Sequence, residues 1–93
     1  IQAITGVNEA QRDVVFTAYP NPGDGLFTLS VEGLSGDARL DVMDATGRLL
    51  RSNTLQLVER RTMPLDLSPE ADGIYLVRLV HDGGAMLLRL AKR

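Results

Sequence analysis

The side chains in this chain best suited to chemistry are its carboxylates: Asp24, Asp37, Asp41, Asp44, Asp66, Glu70, Asp72 and Asp82. Paired carboxylates can shuttle protons, and several around backbone carbonyls can hold calcium. Most of these stand in turn-like stretches beside glycine or proline, where a carboxylate more commonly accepts from nearby backbone N–H groups. Asp24, Asp44 and Asp72 are the best placed for a calcium loop. None has the Asp-x-Asp-x-Asp-Gly spacing that such a loop needs. Ser30, Ser35, Ser52 and Ser68 have a single possible base, His81, and no motif frames any of them. His81 itself reads as a solvated histidine at a strand end. The sequence therefore assigns no catalytic residue, no metal ligand and no cofactor.

Composition narrows the class further. The chain has 93 residues, 44% of them hydrophobic and 24% charged, with no cysteine and no tryptophan. Disulfide scaffolds, cysteine zinc sites and thiol catalysis are excluded. A net charge of −2 argues against a general nucleic-acid binder. No apolar run approaches the roughly 20 residues of a membrane-spanning helix. A single small domain of this size buries only about 60–65% of its unfolded surface, so its core is modest.

The elements that must position these residues are short strands. "LFTLSVE" alternates strictly, with Phe27, Leu29 and Val31 on one face and Thr28, Ser30 and Glu32 on the other. "ARLDVMD" repeats the pattern, with Leu40 and Val42 inward and Arg39, Asp41 and Met43 outward. "VVFTAY" is β-branched and aromatic, as strands prefer. "DATG" reads as a tight turn with Asp44 accepting from the backbone and Gly47 at positive φ. "RLLRSNTLQLV" predicts one or two strands, broken at Ser52-Asn53. "RTMPLDL" is an edge or bulged strand because of Pro64. "SPEADG" is a corner, with room for one helical turn capped by Ser68. "GIYLVRLV" turns Tyr75, Val77 and Leu79 to the core. "HDGG" closes a hairpin into "AMLLRLAKR". Some seven strands at turn-bounded spacing predict an all-β, Ig-like antiparallel sandwich, with a small closed barrel as second choice. Residues 1–13 read as a linker remnant from an upstream protein, with one extended piece at Ile1–Ile4, and residues 14–93 as the domain.

The stretch "TAYPNPGDG" sets rigid residues beside flexible ones. Pro20 and Pro22 fix φ and hold Tyr19 and Asn21 extended. Asn21 suits an Asx-type turn, and Asp24-Gly25 can take left-handed angles. The stretch is expected to end one strand and aim the next. Gly25 and Gly73 are expected at corners and Gly36 in an ordinary loop.

Four motifs in order resemble the C-terminal sorting domain of the type IX secretion system. They are Tyr-Pro-Asn-Pro, a short gap, Gly25 and then an alternating strand; "LDVMDATGRLL"; "LDLSPEADGIYLVRL" with its Gly-x-Tyr-x-Val; and the basic ending "RLAKR". The resemblance runs from Val14 to Arg93. Arg89 departs from it, since lysine is commoner there. The resemblance implies an export label carried behind a cargo protein. It implies transit through the periplasm, recognition by type IX translocon components at the outer membrane, and removal by a surface sortase-like protease. The cargo then remains at the outer-membrane surface or outside the cell. The residues carried over, or expected to dock, are Pro20, Asn21, Pro22, Gly25, Gly47, Gly73, Tyr75, Arg89, Lys92 and Arg93.

The alternative from a different class is an Ig-like accessory or adhesion module that binds carbohydrate or protein at the cell surface. With only Phe16, Tyr19, Phe27 and Tyr75 available, a sugar-stacking platform is poorly supplied. Two further docking features are expected. Ile74, Leu76 and Val80 give the penultimate strand a second apolar face, to be covered by loops, by Ile1–Val7 or by a partner. The terminal strand is expected at an open edge, where its cations discourage self-pairing.

Overall fold

The computed structural model describes residues 14–93; the expectations for residues 1–13 lie outside them. Seven strands follow in order: β1 Val15–Tyr19, β2 Leu26–Glu32, β3 Gly36–Asp44, β4 Leu49–Leu57, β5 Arg60–Asp66, β6 Gly73–His81 and β7 Gly84–Lys92. They form two antiparallel sheets, ordered β1-β2-β5 and β4-β3-β6-β7. Each sheet keeps its own edges, so the architecture is the sandwich rather than the closed barrel.

The core lies between the sheets. Phe27, Leu29 and Val31 of β2 meet Leu40 and Val42 of β3 and Tyr75, Val77 and Leu79 of β6. All eight are buried, as the alternation predicts. Phe16, Ala38, Leu57, Leu65, Leu67 and Leu90 complete the cluster. Each fully buried aliphatic side chain stabilises the fold by about 1.5–3 kcal/mol relative to exposure.

Three local readings are corrected. Asp41 and Met43 do stand on the outer face of β3, yet both are buried, Asp41 to 2% exposure. The cause is the central position of β3: Asp41 pairs with Ser52 and Arg78, and Met43 with Leu49 and Leu76. β4 runs unbroken through Ser52 and Asn53, and the irregularity falls instead between Val42 and Met43. The Ser68 corner is a turn, closed by the Glu70 N–H donating to the Leu67 carbonyl at 2.9 Å. Its cap is Asp66, whose carboxylate accepts from the Ser68 N–H (2.9 Å) and hydroxyl.

The sandwich has two distinct ends. Val15 pairs with Glu32 at one, together with Gly33–Gly36, the β4–β5 connection and the Asp82-Gly83 hairpin. The other holds the 20–25 loop, the Asp44–Gly47 turn, the 67–72 corner and Arg93. The chain enters β1 at the first end and finishes β7 at the second.

Candidate functional site

The second end gathers the residues that the sequence marks. β1 stops at Tyr19, and the prolines that follow, both joined by cis peptide bonds, carry the chain across to the terminal strand. There Asn21 acts as a short piece of strand. Its side-chain amide donates to the Arg89 carbonyl at 2.9 Å, and its amide oxygen accepts from the Ala91 N–H at 3.1 Å. Gly23 continues the pairing in parallel fashion: its N–H donates to the Ala91 carbonyl (3.0 Å) and its carbonyl accepts from the Arg93 N–H (2.9 Å).

Two expectations change here. Asn21 makes a long-range clamp rather than an Asx turn, because the terminal strand offers it a complete donor and acceptor pair. The edge of β7 is therefore not open along Arg89–Arg93. Gly23, which the sequence reading passed over, is the residue that bridges. A Cβ there would sit 2.8 Å from the Pro20 carbonyl oxygen and 3.0 Å from the Phe27 ring. Its place straight after Pro-Asn-Pro was the available signal.

Gly25 occupies a corner in which φ is +129° and a Cβ would lie 3.1 Å from the Ser68 Cα. Its carbonyl accepts from the Leu67 N–H at 2.7 Å, which joins the first motif to the third. Gly73 faces Lys92 across the β6–β7 ladder, and Tyr75 faces both Asp44 and Leu90. The Tyr75 hydroxyl donates to the Ala71 carbonyl and braces the corner, so the ring is core and the hydroxyl a local tie. Gly73 has positive φ, as expected of a corner, but so does Gly36 at the start of β3. Gly36 is thus not an ordinary loop glycine; its position turns the chain into the sheet.

Gly47, with φ +92°, closes the Asp44 turn. The Asp44 carboxylate accepts from the Thr46 N–H and hydroxyl and from the Arg48 N–H at 2.6–3.0 Å. The Thr46 hydroxyl bond, followed by the backbone N–H groups, holds its pKa down to about 2. Asp66 is lowered as well, chiefly by the Ser68 hydroxyl. Two of the three carboxylates considered for calcium are thus engaged, Asp44 in its turn and Asp72 with the Lys92 ammonium at 3.0 Å, while Asp24 is exposed. Among the described residues no three acidic, histidine or cysteine side chains gather to hold a metal. His81 accepts from the Gly83 N–H at 3.2 Å within its own hairpin.

The three cations of the tail differ. Lys92 is built into the fold, its side chain only 10% exposed and paired with Asp72. Arg89 and Arg93 are exposed, and neither side chain has an ion-pair partner among the described residues. These two are the cations of the tail that remain to be presented to a partner.

The outer face of the four-stranded sheet carries the other feature noted in the sequence. Ile74, Leu76 and Val80 are half-buried there rather than open, and Leu49 and Leu87 are exposed. Asp41 sits in the middle, accepting from Arg39 (3.0 Å), Arg78 (3.0 Å) and the Ser52 hydroxyl (2.7 Å). The Arg39 hydrogen bond is the main influence that lowers its pKa to about 2, against the opposing effect of burial. This cluster uses every charge it contains and leaves no free nucleophile or base.

A family model for the secretion system C-terminal sorting domain matches residues 17–92, while no curated protein matches the chain. The chain belongs to that family, the C-terminal sorting signals of type IX secretion, which is not a family of enzymes. Membership implies an upstream cargo, handling by the type IX machinery, and export toward the outer membrane or the extracellular space. No helix among the described residues is long and apolar enough to cross a membrane.

Proposed function

We propose that this sorting domain crosses the periplasm folded and is read by translocon components at the end that carries Asn21, Gly47, Gly73 and Arg93. We propose further that a surface sortase-like protease separates it from its cargo in the segment before β1. One observation carries the reading. Four motifs far apart in sequence meet at one end of a body 37 Å long, and the chain enters β1 at the other. A machine holding the motif end leaves the cargo side clear.

In this reading Asn21, Gly23 and Gly25 shape the surface, and Arg89 and Arg93 supply its charge. Pro20, Pro22, Gly47, Gly73 and Tyr75 hold the loops in place. Lys92 belongs with these, because its ammonium is already paired. Exposed cations favour encounter with an acidic surface and orient the incoming domain.

The test is a reporter fused upstream of the chain. Arg89→Glu with Arg93→Glu is expected to keep the wild-type melting temperature, since exposed charges usually shift stability by under about 0.5 kcal/mol. The reporter is expected to accumulate inside the outer membrane. Asp82→Lys at the far hairpin should leave export unchanged. Wild-type export by the folded double variant would sink the charge-reading role of the tail.

A further inference from the structure

The two long sides of the sandwich are closed in different ways. On one, β1 packs against β7, and the 20–23 loop pairs with the terminal strand. On the other, β4 and β5 stand apart, with a cleft of about 340 Å³ between them. Leu40, Val42, Leu55, Met63 and Leu65 form its apolar lining. Two guanidiniums lace it: Arg51 of β4 donates to the Asp66 carbonyl, and Arg61 of β5 donates to the Gln56 carbonyl at 2.8 Å. No carboxylate lines the cleft.

Edge strands are usually protected by shortness, by proline or by charge. β1 has five residues. β5 carries Pro64, Arg60 and Arg61. β7 is clamped by Asn21 and Gly23 and ends in cations. β4 has none of these devices. It is nine residues long, "LLRSNTLQL", with one charge, no proline and no glycine, and it pairs with β3 alone. Gln56 turns its carbonyl toward the free edge, where Arg61 binds it. Strand alternation turns the backbone groups of Thr54 the same way, and nothing in the described chain pairs with them.

We infer that the free edge of β4 is a docking site for an extended strand of a partner protein, one whose cleft-facing side chains, every second residue, are acidic, apolar and acidic in turn, because Arg51, Leu55, Met63 and Arg61 all stand on the cleft-facing side of their strands. The added strand hydrogen-bonds along β4. Its apolar side chains settle over Leu55 and Met63. Its carboxylates meet Arg51 and Arg61, whose present acceptors are only neutral carbonyls. A second copy of this chain fits poorly, because β4 holds no acidic residue and two such edges would bring like charges together.

The experiment uses the isotopically labelled 93-residue chain with two synthetic peptides, one built on Glu-Thr-Val-Thr-Glu, the other with lysine in place of each glutamate, so that the charged and apolar side chains share one face. The glutamate peptide is expected to shift the amide resonances of Arg51–Leu55 and to bind about tenfold more tightly, from two exposed ion pairs. Thr54→Pro removes one edge-facing N–H and no β3 bond, and it should abolish binding. Should that variant fail to fold, Arg61→Glu reads the same contact by lowering affinity for the glutamate peptide and raising it for the lysine peptide. Equal binding of both peptides, shifts confined to β1 and β7, or no binding would overturn the proposal. So would light scattering that shows a dimer lost on Thr54→Pro, because the edge would then belong to a second copy.

Discussion

The β1–β7 side and the β4–β5 side join the same two sheets by different chemistry. The first is closed by backbone pairing, a side-chain amide that mimics backbone, and an ion pair between a largely buried Lys92 and an exposed Asp72. The second is held by two arginines reaching across a cleft to neutral carbonyls. Backbone pairing is short-ranged and tolerates little rearrangement. Long, flexible arginine side chains can let go of a carbonyl and find another partner at small cost. The contrast shows which side is fixed by the fold and which is left adaptable.

The largest test of that contrast is a pair of truncations. Leu90 is wholly buried beneath the clamped strand, whereas Met63 is half-buried in the cleft. Leu90→Ala should cost about 2–4 kcal/mol in urea unfolding. Met63→Ala should cost about 1 kcal/mol. Equal losses would mean that the two sides are packed alike.

Backbone geometry gives the next largest effect. Gly25→Val combines positive φ with a close approach to Ser68, and should cost about 2–3 kcal/mol. Gly36→Val meets positive φ but open space, and should cost about 1–2 kcal/mol. Melting temperatures rank the two directly. An equal pair would show that the contact between the first motif and the corner contributes little.

Smaller again are the ties themselves. Asn21→Ala removes two hydrogen bonds and should cost about 1–2 kcal/mol, with faster hydrogen exchange at Ala91, whose N–H loses its acceptor. Arg61→Ala should cost less than about 1 kcal/mol. If Arg61→Ala were the more damaging, the lacing would be structural and the cleft would not be adaptable.

Acid is the mildest probe. Arginine on a carbonyl does not titrate in this range, so the two lacing bonds themselves are expected to be indifferent to pH, although the Arg51 charge helps lower the neighbouring Asp66 carboxyl. The outer sheet face beside it depends on Asp41, whose folded pKa of about 2 lies below its ordinary value of 3.8. A depressed pKa contributes stability above the ordinary value, and that contribution is lost as pH falls from about 5 toward 2. Asp44 and Asp66 are lowered too and act in the same direction. Asp41→Asn should flatten part of the acid limb of stability against pH, and an unchanged limb would remove Asp41 from the account.

Much of this architecture is written in local pattern. Period-2 alternation in β2, β3 and β6 marks the core because each strand has one face toward it. Asp44 and Gly47 are legible as a turn because their partners lie within four residues. What stayed hidden is long-range. Asn21 finds its partners 68 and 70 residues away. Asp41 is buried by Ser52 and Arg78, 11 and 37 residues on. Lys92 looks like a free tail cation until Asp72 is placed beside it. Nor does any local signal distinguish β4 as the unprotected edge, since that property depends on which strands end up beside it.

The parallel course of the first and last strands has a mechanical meaning. β1 and β7 both run from the cargo end toward the motif end, side by side, and Asn21 and Gly23 stitch the loop after β1 to β7. A machine that grips near Arg93 while a cargo drags behind Val15 pulls the two strands along their length in opposite directions. The stitches are then loaded together in shear instead of peeling one by one. Rupture must break them at once, so resistance to force, which follows the unfolding barrier, is high for a domain with so small a core. Pulling between the two termini in a force spectrometer reads this directly: Asn21→Ala should lower the rupture force, and Arg61→Ala, on the unloaded side, should not.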